Sequence, residues 1–504
     1  MHRRRFLLAA ATTLVAAGCA RDTTGDAPGA NGRATDTLRY AAVGAPATAS
    51  HDPHGGLGNE SDALRFALLY DVLTAPGPDG TTQPRLATAW EPDADLTHWR
   101  MTLRTDAAFT DGRPVRAADV LYSLRRMGEK AAENYGRMGM FDLDAATVVD
   151  AHTVELVTHR PYAEVGRALE SATFVVPEGS TDFSGPVVGS GPFLLADGDA
   201  GNAALERNDA WWGPRPPLRR IEIRAVADPQ ARADAVAAGQ ADVAGSVSPA
   251  AATQAESGGL VVVRRPAVTL YPLVMRLDRA PFDDPRVPQA VKLAVDRQQL
   301  IDTVFLGQGR LGNDLLSPAD PTTPDLPQRE RDVEEARRLL RAAGYGDGLD
   351  LTLRTTTAYP GMDTAATLLA DQLAAVDIRV QIAVEPPETF WTEVYAQADC
   401  YVSYLGGIPF LDVARVALRS DSPTNETAWH RPDWERDLDQ ALATADEPRR
   451  AAALGALQET LRDEGGYLVW GAGDGLDLAR PGVAGLPIGP GFQRLFIDQA
   501  RVDG

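Results

Sequence analysis

The sequence predicts an α/β protein built as two or three domains. Three observations carry this. Strand-like LDLTLRT (349–355) and IRVQIAV (378–384) flank the helical DTAATLLADQLAAV, a β-α-β order that calls for a sheet layer with a helix packed on it. Capped helices with apolar stripes accompany the strands. The chain has 504 residues, too many for one hydrophobic core.

The elements follow in chain order. MHRRRFLLAAATTLVAAGCARD opens the sequence. Its apolar run, Phe6 to Ala17, is shorter than the roughly 20 residues that span a bilayer. Basic residues, a short apolar core and small residues before a cysteine describe an export signal over residues 1–18. Val15 to Cys19 resembles a bacterial lipobox, which makes Cys19 the lipidated N-terminus of the mature chain. Arg3-Arg4 also fits a twin-arginine signal, so the export route stays open. ARDTTGDAPGANGRATD (20–36) lacks aromatic and large aliphatic residues and reads, with Cys19, as a flexible tether over 19–36. Its r.m.s. reach is roughly 20–25 Å. The fold begins near Thr37 with the strand TLRYAAV. The first half is rich in turns (PGPDG, TDGRP, SGPF) between short strands.

The clearest helix pattern is DDPRVPQAVKLAVDRQQLIDTVF (283–305), read as one helix. Asp284 is its expected N-cap and Pro285 its first helical residue. Val287, Ala290, Val291, Ala294 and Val295 line one face. In DVEEARRLLRAAGYGDG, Asp332 and Glu335 have capping-box spacing. Val333, Ala336, Leu339 and Leu340 form the stripe, and Gly344 is the expected stop.

Composition limits function. The formal net charge is −21, and removal of the three arginines in residues 1–18 makes it −24. Such a surface disfavours nucleic acid. Two cysteines are present; with lipid on Cys19, Cys400 has no partner for a disulfide or a cysteine metal cluster. No Gly-x-Ser-x-Gly elbow, His-Glu-x-x-His helix, phosphate loop or dinucleotide fingerprint occurs. His51 and His54 in HDPH are separated by Pro53, so the stretch reads as a turn rather than a metal site. No enzyme, cofactor or metal is expected.

Several stretches together resemble the extracytoplasmic solute-binding proteins of family 5, the receptors of ABC importers for peptides, nickel and other solutes. The densest part is 70–127. It carries Tyr70-Asp71, a run from Pro84 to Glu91, Leu103-Arg104 and Phe109 to Val115. Later matches are GSGPF (189–193), LERNDAWWG (205–213), AVAAGQADV (235–243), PFDDPRVPQAVKLAVDR (281–297) and EARRLLRAAGY (335–345). The resemblance implies a two-lobed periplasmic-binding-protein-like fold of type II, with an inserted subdomain and a hinge cleft. Lobe I would be 37–268 plus a C-terminal return at 470–504, with the subdomain at about 60–185. Lobe II would be 269–469. Crossings are expected near Val268–Leu277 and Tyr467–Gly471. Trp90, Trp99, Phe109 and Gly112 fall in the subdomain as packing and turn residues.

The resemblance also implies the ligand contacts. Peptide-binding members carry an Asp in a Trp-x-Gly-Asp loop that pairs with the peptide amine. The matching stretch is SYLGGIPFLDVAR (403–415). Tyr404 takes the Trp position, and Gly407 replaces the Asp, with Asp412 as a substitute only if the loop bends differently. Arg276 stands where the family often has Asn on the first crossing strand. Losing an anion and gaining a cation favours neutral or acidic solutes, unless Arg276 pairs with Asp278 or another acid. Tyr271, Trp429 and His430 are further candidates for the cleft, each equally readable as core. His51, Gly55 and Leu57 lie in the family's Asp-Pro-His stretch near the cleft.

The function implied is that of a lipid-anchored, exported, monomeric receptor. It would deliver a peptide or other small solute to membrane permease subunits. A non-peptide receptor of the same fold is the alternative: its solute would be a neutral or acidic molecule, an oligosaccharide, a siderophore-like molecule or a metal chelate. A solute sensor and a secreted hydrolase are the other classes compatible with an exported α/β chain.

Overall fold

The computed structural model describes residues 36–46, 50–55, 59–77, 80–130, 138–170, 173–489 and 491–503. The expected export signal, Cys19, all but the last residue of the expected tether, and Leu57 lie outside the described residues. Among the described residues no helix is long and apolar enough to cross a membrane.

Two sheets organise two lobes. The larger, nine-stranded sheet is built around Thr37–Ala42, which pairs in parallel with Arg220–Ala225 and Val243–Ala244. Leu38, Tyr40 and Ala42 of that strand enter one core, and Ala41 enters a second on the opposite face, as the two-residue period of a strand requires. Antiparallel neighbours extend this sheet on one side through Asn202–Arg207 and Phe193–Gly198. On the other side lie Gly471–Ala479 and Val261–Leu270. The second sheet orders Ile378–Glu385, Leu349–Thr356, Cys400–Val402, Leu273–Met275 and Tyr467–Leu468. Its first two strands are parallel and are joined by the helix Met362–Ala374, the β-α-β unit expected from sequence.

Two passages link the sheets. Val261–Leu270 belongs to the larger sheet, and Leu273–Met275, three residues on, belongs to the smaller. Tyr467–Leu468 belongs to the smaller and Gly471–Ala479 to the larger. Trp470, fully buried between the latter two, donates its indole N–H to the Tyr271 carbonyl at 2.7 Å. Its ring stacks on Phe305 at 5.1 Å. The glycines beside it make room: a Cβ on Gly473 would stand 2.7 Å from the Phe305 ring.

The small subdomain is a four-stranded antiparallel sheet, Ala87–Pro92, His98–Leu103, Thr153–Val157 and Thr147–Asp150, covered by the helix Ala117–Glu129. His98–Leu103 alternates strictly, placing Trp99, Met101 and Leu103 in the core with Phe109 and Val120. Gly112 adopts φ +86°, the left-handed turn conformation. Trp90 packs so closely on Gly166 that a Cβ there would be 2.5 Å from its indole.

The remaining sequence motifs around 71 and 211 converge on one carboxylate. Asp71, fully buried, accepts from the indole N–H of Trp211 at 3.2 Å and of Trp212 at 2.7 Å, and from Arg85 Nε at 3.0 Å. The Tyr-Asp and Trp-Trp pairs are thus halves of one structural knot.

The second lobe departs from expectation at its clearest helix. Residues 283–305 form two helices, Arg286–Ala294 and Arg297–Val304. Pro285 takes the cap position in helical φ and ψ rather than the first helical one, and Asp284 accepts from the Arg286 N–H. The chain then extends at Val295, and Asp296 caps the second helix by accepting from Gln299 N–H. An aspartate mid-pattern competes for backbone N–H groups and favours a new start over continuation. Val287, Ala290, Val291, Ala294 and Val295 are nevertheless all buried. Val333–Ala342 forms as expected: Asp332 caps Glu335 N–H, and Gly344 ends the turn at φ +94°. Glu335 turns to Arg338 instead of closing the box.

Candidate functional site

Where the passages between sheets meet, aromatic rings run outward from the core. Phe305 stands between Trp470 and Tyr271, whose ring is 5.6 Å from it. Tyr271 is buried and donates its hydroxyl to the Pro360 carbonyl at 2.9 Å. Tyr404 follows at 6.3 Å from Tyr271 and stacks on Tyr359 at 4.0 Å and 8°. Trp391 closes the row edge-on to Tyr359 at 6.2 Å. Tyr359 is 37% exposed, so the row ends as an open wall with π-faces and hydroxyls. Such a wall suits planar or apolar parts of a solute.

The opposite lobe answers with a cation. Arg494, in the turn Gly491–Leu495 of the C-terminal return, pairs with the buried Glu60 at 3.2 Å. Burial, then Tyr359, push the Tyr404 hydroxyl above its ordinary pKa, and the Arg494 charge opposes them.

The loop after Tyr404 lies flush on the first passage. Thr269 pairs with Gly406, and Gly407 N–H donates to the Val268 carbonyl at 2.9 Å. A Cβ on Gly407 would lie 2.2 Å from the Ala267 carbonyl oxygen. No side chain fits there without moving backbone. Asp412 lies on the helix Phe410–Ala417 and binds Arg415 at 3.3 Å; its charge acts on Tyr162 of the subdomain.

The other expected residues are distributed as follows. Arg276 binds Asp278 at 3.0 Å and the Ala396 carbonyl, so its guanidinium is held within its own lobe. Trp429 is 2% exposed and packs edge-on against Trp434 at 6.2 Å, inside the lobe II core. His430, next to it, is exposed. Of these, only Tyr271, Tyr404 and Gly407 come together at the wall. The HDPH stretch is a turn. Asp52 binds Arg126 and Lys130, whose positive charges hold its carboxyl far below the usual range against the cost of burial. Gly55 N–H donates to the Asp52 carbonyl. His54 is fully buried on the Phe174 carbonyl at 2.7 Å, and burial lowers its pKa to about 4. His51 gives its carbonyl to the Tyr70 hydroxyl, and burial followed by the Arg65 charge lowers its imidazole pKa. Among the described residues no cluster of His, Cys, Asp and Glu could hold a metal ion.

Three members of the site escape sequence reasoning: Tyr359, Trp391 and Arg494. Each comes from a separate element: Tyr359 stacks on Tyr404, Trp391 meets Tyr359, and Arg494 acts on Tyr404 through its charge.

The family model described as bacterial extracellular solute-binding proteins, family 5 Middle, matches residues 81–425. Among similar curated proteins, the nickel-binding periplasmic protein of Escherichia coli (strain K12) is 24% identical over 487 residues, covering 86% of this chain and 89% of that one. Di/tripeptide-binding protein 2 of Pseudomonas aeruginosa (strain UCBPP-PA14) is 26% identical over 479 residues, covering 85% and 88%. Among solved structures, NikA from Brucella suis in complex with Fe(III)-EDTA superposes with a TM-score of 0.79 at 21% identity, over 93% of this chain and all of the other. AgaA from A. tumefaciens R10 in complex with agropinic acid superposes with a TM-score of 0.75 at 23% identity, over 93% and 99%. Both share the two-lobed fold.

Proposed function

The chain belongs to the bacterial extracellular solute-binding proteins of family 5, and from that premise we propose that it is the receptor of an ABC importer for a small solute bearing an anionic group, acidic or amine-blocked peptides included. It binds and delivers its solute without transforming it. Solute that touches the aromatic wall of one lobe and Arg494 of the other stabilises the closed state by its differential affinity for it. A micromolar dissociation constant corresponds to about −8 kcal/mol, ample to bias a hinge whose states differ by a few kcal/mol. The closed form then docks on the permease.

The observation that carries the solute class is Gly407. A Cβ there would meet the Ala267 carbonyl oxygen, so the position has no room for the carboxylate that would hold a peptide's free amine, while Arg494, paired with Glu60, is the cation whose charge acts on Tyr404. Native mass spectrometry of the purified protein tests the first step by weighing the co-purified solute. A thermal-shift panel of tripeptides tests the second, because ligand binding to the native state raises apparent stability. N-acetylation should leave binding unchanged. Submicromolar binding that acetylation abolishes would overturn the anionic reading. The same wall accepts a non-peptide anion, and the mass of the co-purified solute separates the two.

The lobe borders proposed at 268/269 and 469/470 are supported by the two passages between sheets, at 270–273 and 468–471. A monomer tethered to the outer membrane face through lipid on Cys19 completes the reading. It rests on the lipobox and the leash to Asp36. Cys19→Ala should release the protein from the membrane fraction into the medium or periplasm; retention would refute the anchor.

A further inference from the structure

The small subdomain and lobe II meet along a seam away from the aromatic wall. Ala163 N–H donates to the Leu442 carbonyl at 2.8 Å, and Tyr162 packs into the cores of both bodies. Ion pairs cross here: Arg160 with Asp439 at 2.9 Å, Arg167 with Asp320 at 3.2 Å, and Arg450 with Glu164. Within the seam is a cavity of about 610 Å³, a size that encloses small ligands. Neither Tyr271, Tyr359, Trp391, Tyr404 nor Arg494 lines it.

Its chemistry is two-sided. Met140, Tyr162, Leu411, Ala414, Leu438 and Leu442 give it an apolar interior. Arg160, Arg415 and Arg419 also line it, against Asp439 as the one lining carboxylate. Arg160 and Arg419 share that carboxylate, and Arg415 has Asp412. One aspartate between two guanidiniums leaves a surplus positive charge and spare N–H donors. This stands out on a chain of net charge −21. Guanidinium groups match carboxylates in shape and charge.

We propose that this seam is a second binding site, for an amphipathic carboxylate whose aliphatic body fills the interior and whose head meets the arginine rim. Because subdomain and lobe II each supply a wall, the site is complete only when the two are apposed. An occupant therefore favours the closed state and raises the affinity of the main cleft by the same factor that solute raises its own. The proposal is independent of which solute the aromatic wall takes.

Isothermal titration of decanoate into the full chain tests it, with decanol as the neutral-headed control. Saturable binding near one per chain is expected, with decanol at least tenfold weaker. Ala414→Trp puts an indole into the interior and Arg160→Glu reverses the charge of an exposed rim residue; each should weaken decanoate at least tenfold. Should Ala414→Trp fail to fold, Arg160→Glu alone decides. Tyr404→Ala, in the aromatic wall, should retain saturable decanoate binding near one per chain, weakened by no more than the factor by which solute in the main cleft assists it. Absence of saturation, equal affinity for decanol, or loss in Tyr404→Ala with retention in Arg160→Glu would each overturn the proposal. So would a two-chain mass by light scattering with decanoate inert, which would give the seam to a second copy.

Discussion

The Tyr401 hydroxyl donates to Glu426 Oε2 at 2.9 Å, inside the lobe II core, with both side chains at 0% exposure. The second oxygen, Oε1, and the Ser403 hydroxyl are both buried without a hydrogen-bond partner. Tyr395 and Tyr467 also face the carboxyl. No arginine, lysine or histidine contributes to its titration. Burial without a counter-charge raises the Glu426 pKa to about 7, against a smaller opposing pull from Ser403 and Tyr401. Folded protein thus holds a proton that unfolded protein releases near pH 4.3. Stability contributed by this group is complete below the unfolded value and falls as pH rises through about 7. Glu426→Gln, which keeps shape and removes the titration, should be more stable than the parent at pH 8.5 by a few kcal/mol and near-equal at pH 5. Urea unfolding at the two pH values measures this, and an equal effect at both would refute it.

Gly407 admits no side chain against the Ala267 carbonyl. Gly407→Asp should destabilise by about 1–3 kcal/mol, the usual cost of overpacking. It should not create affinity for free-amine peptides. Chemical denaturation and the tripeptide panel check the two halves; a stable variant that gains amine-dependent binding would show that the loop can lift away.

The stacked pair Tyr359–Tyr404 exposes one aromatic face. Tyr404→Ala should weaken solute about tenfold or more, from lost area and lost stacking. In native spectra the variant should appear mostly without the co-purified solute. Full retention would remove Tyr404 from the cleft.

Lys292 is completely buried and donates Nζ to the carbonyls of Arg462 at 2.8 Å and Gly465 at 2.7 Å. It thereby satisfies the end of the long helix Glu447–Glu464, where helix-terminal carbonyls favour a cation. Lys292→Met keeps the volume, strands the Gly465 carbonyl and leaves the Arg462 carbonyl with the longer Arg329 contact at 3.4 Å alone. A loss of roughly 1–3 kcal/mol is expected from one unmet buried acceptor. A change below 0.5 kcal/mol would mean that water replaces the ammonium.

Sequence was most informative where structure is local. Asp332 capping Glu335 and the parallel pair Leu349–Thr356 with Ile378–Glu385 need only neighbouring residues, so periodicity and caps suffice. The same reasoning merged two helices at Val295, because the apolar face continues unbroken across the break that Asp296 makes. At the candidate site, motif order singled out Tyr404 and Gly407 and closeness to the first passage singled out Tyr271, and the fold sets these residues beside one another. Arg276 and Trp429 were not separable from core and ion-pair roles, since both outcomes look alike in one dimension. Arg494 meets Glu60 across 434 positions of chain, a distance no local pattern spans.

Trp470 belongs to one passage between the lobes, and its indole N–H holds the carbonyl of Tyr271, beside the other. Two separate strands could let the lobes shear, twist and open by different paths. Tied by this hydrogen bond, the two passages are held to each other where they leave the sheets, so a movement of one carries the other with it.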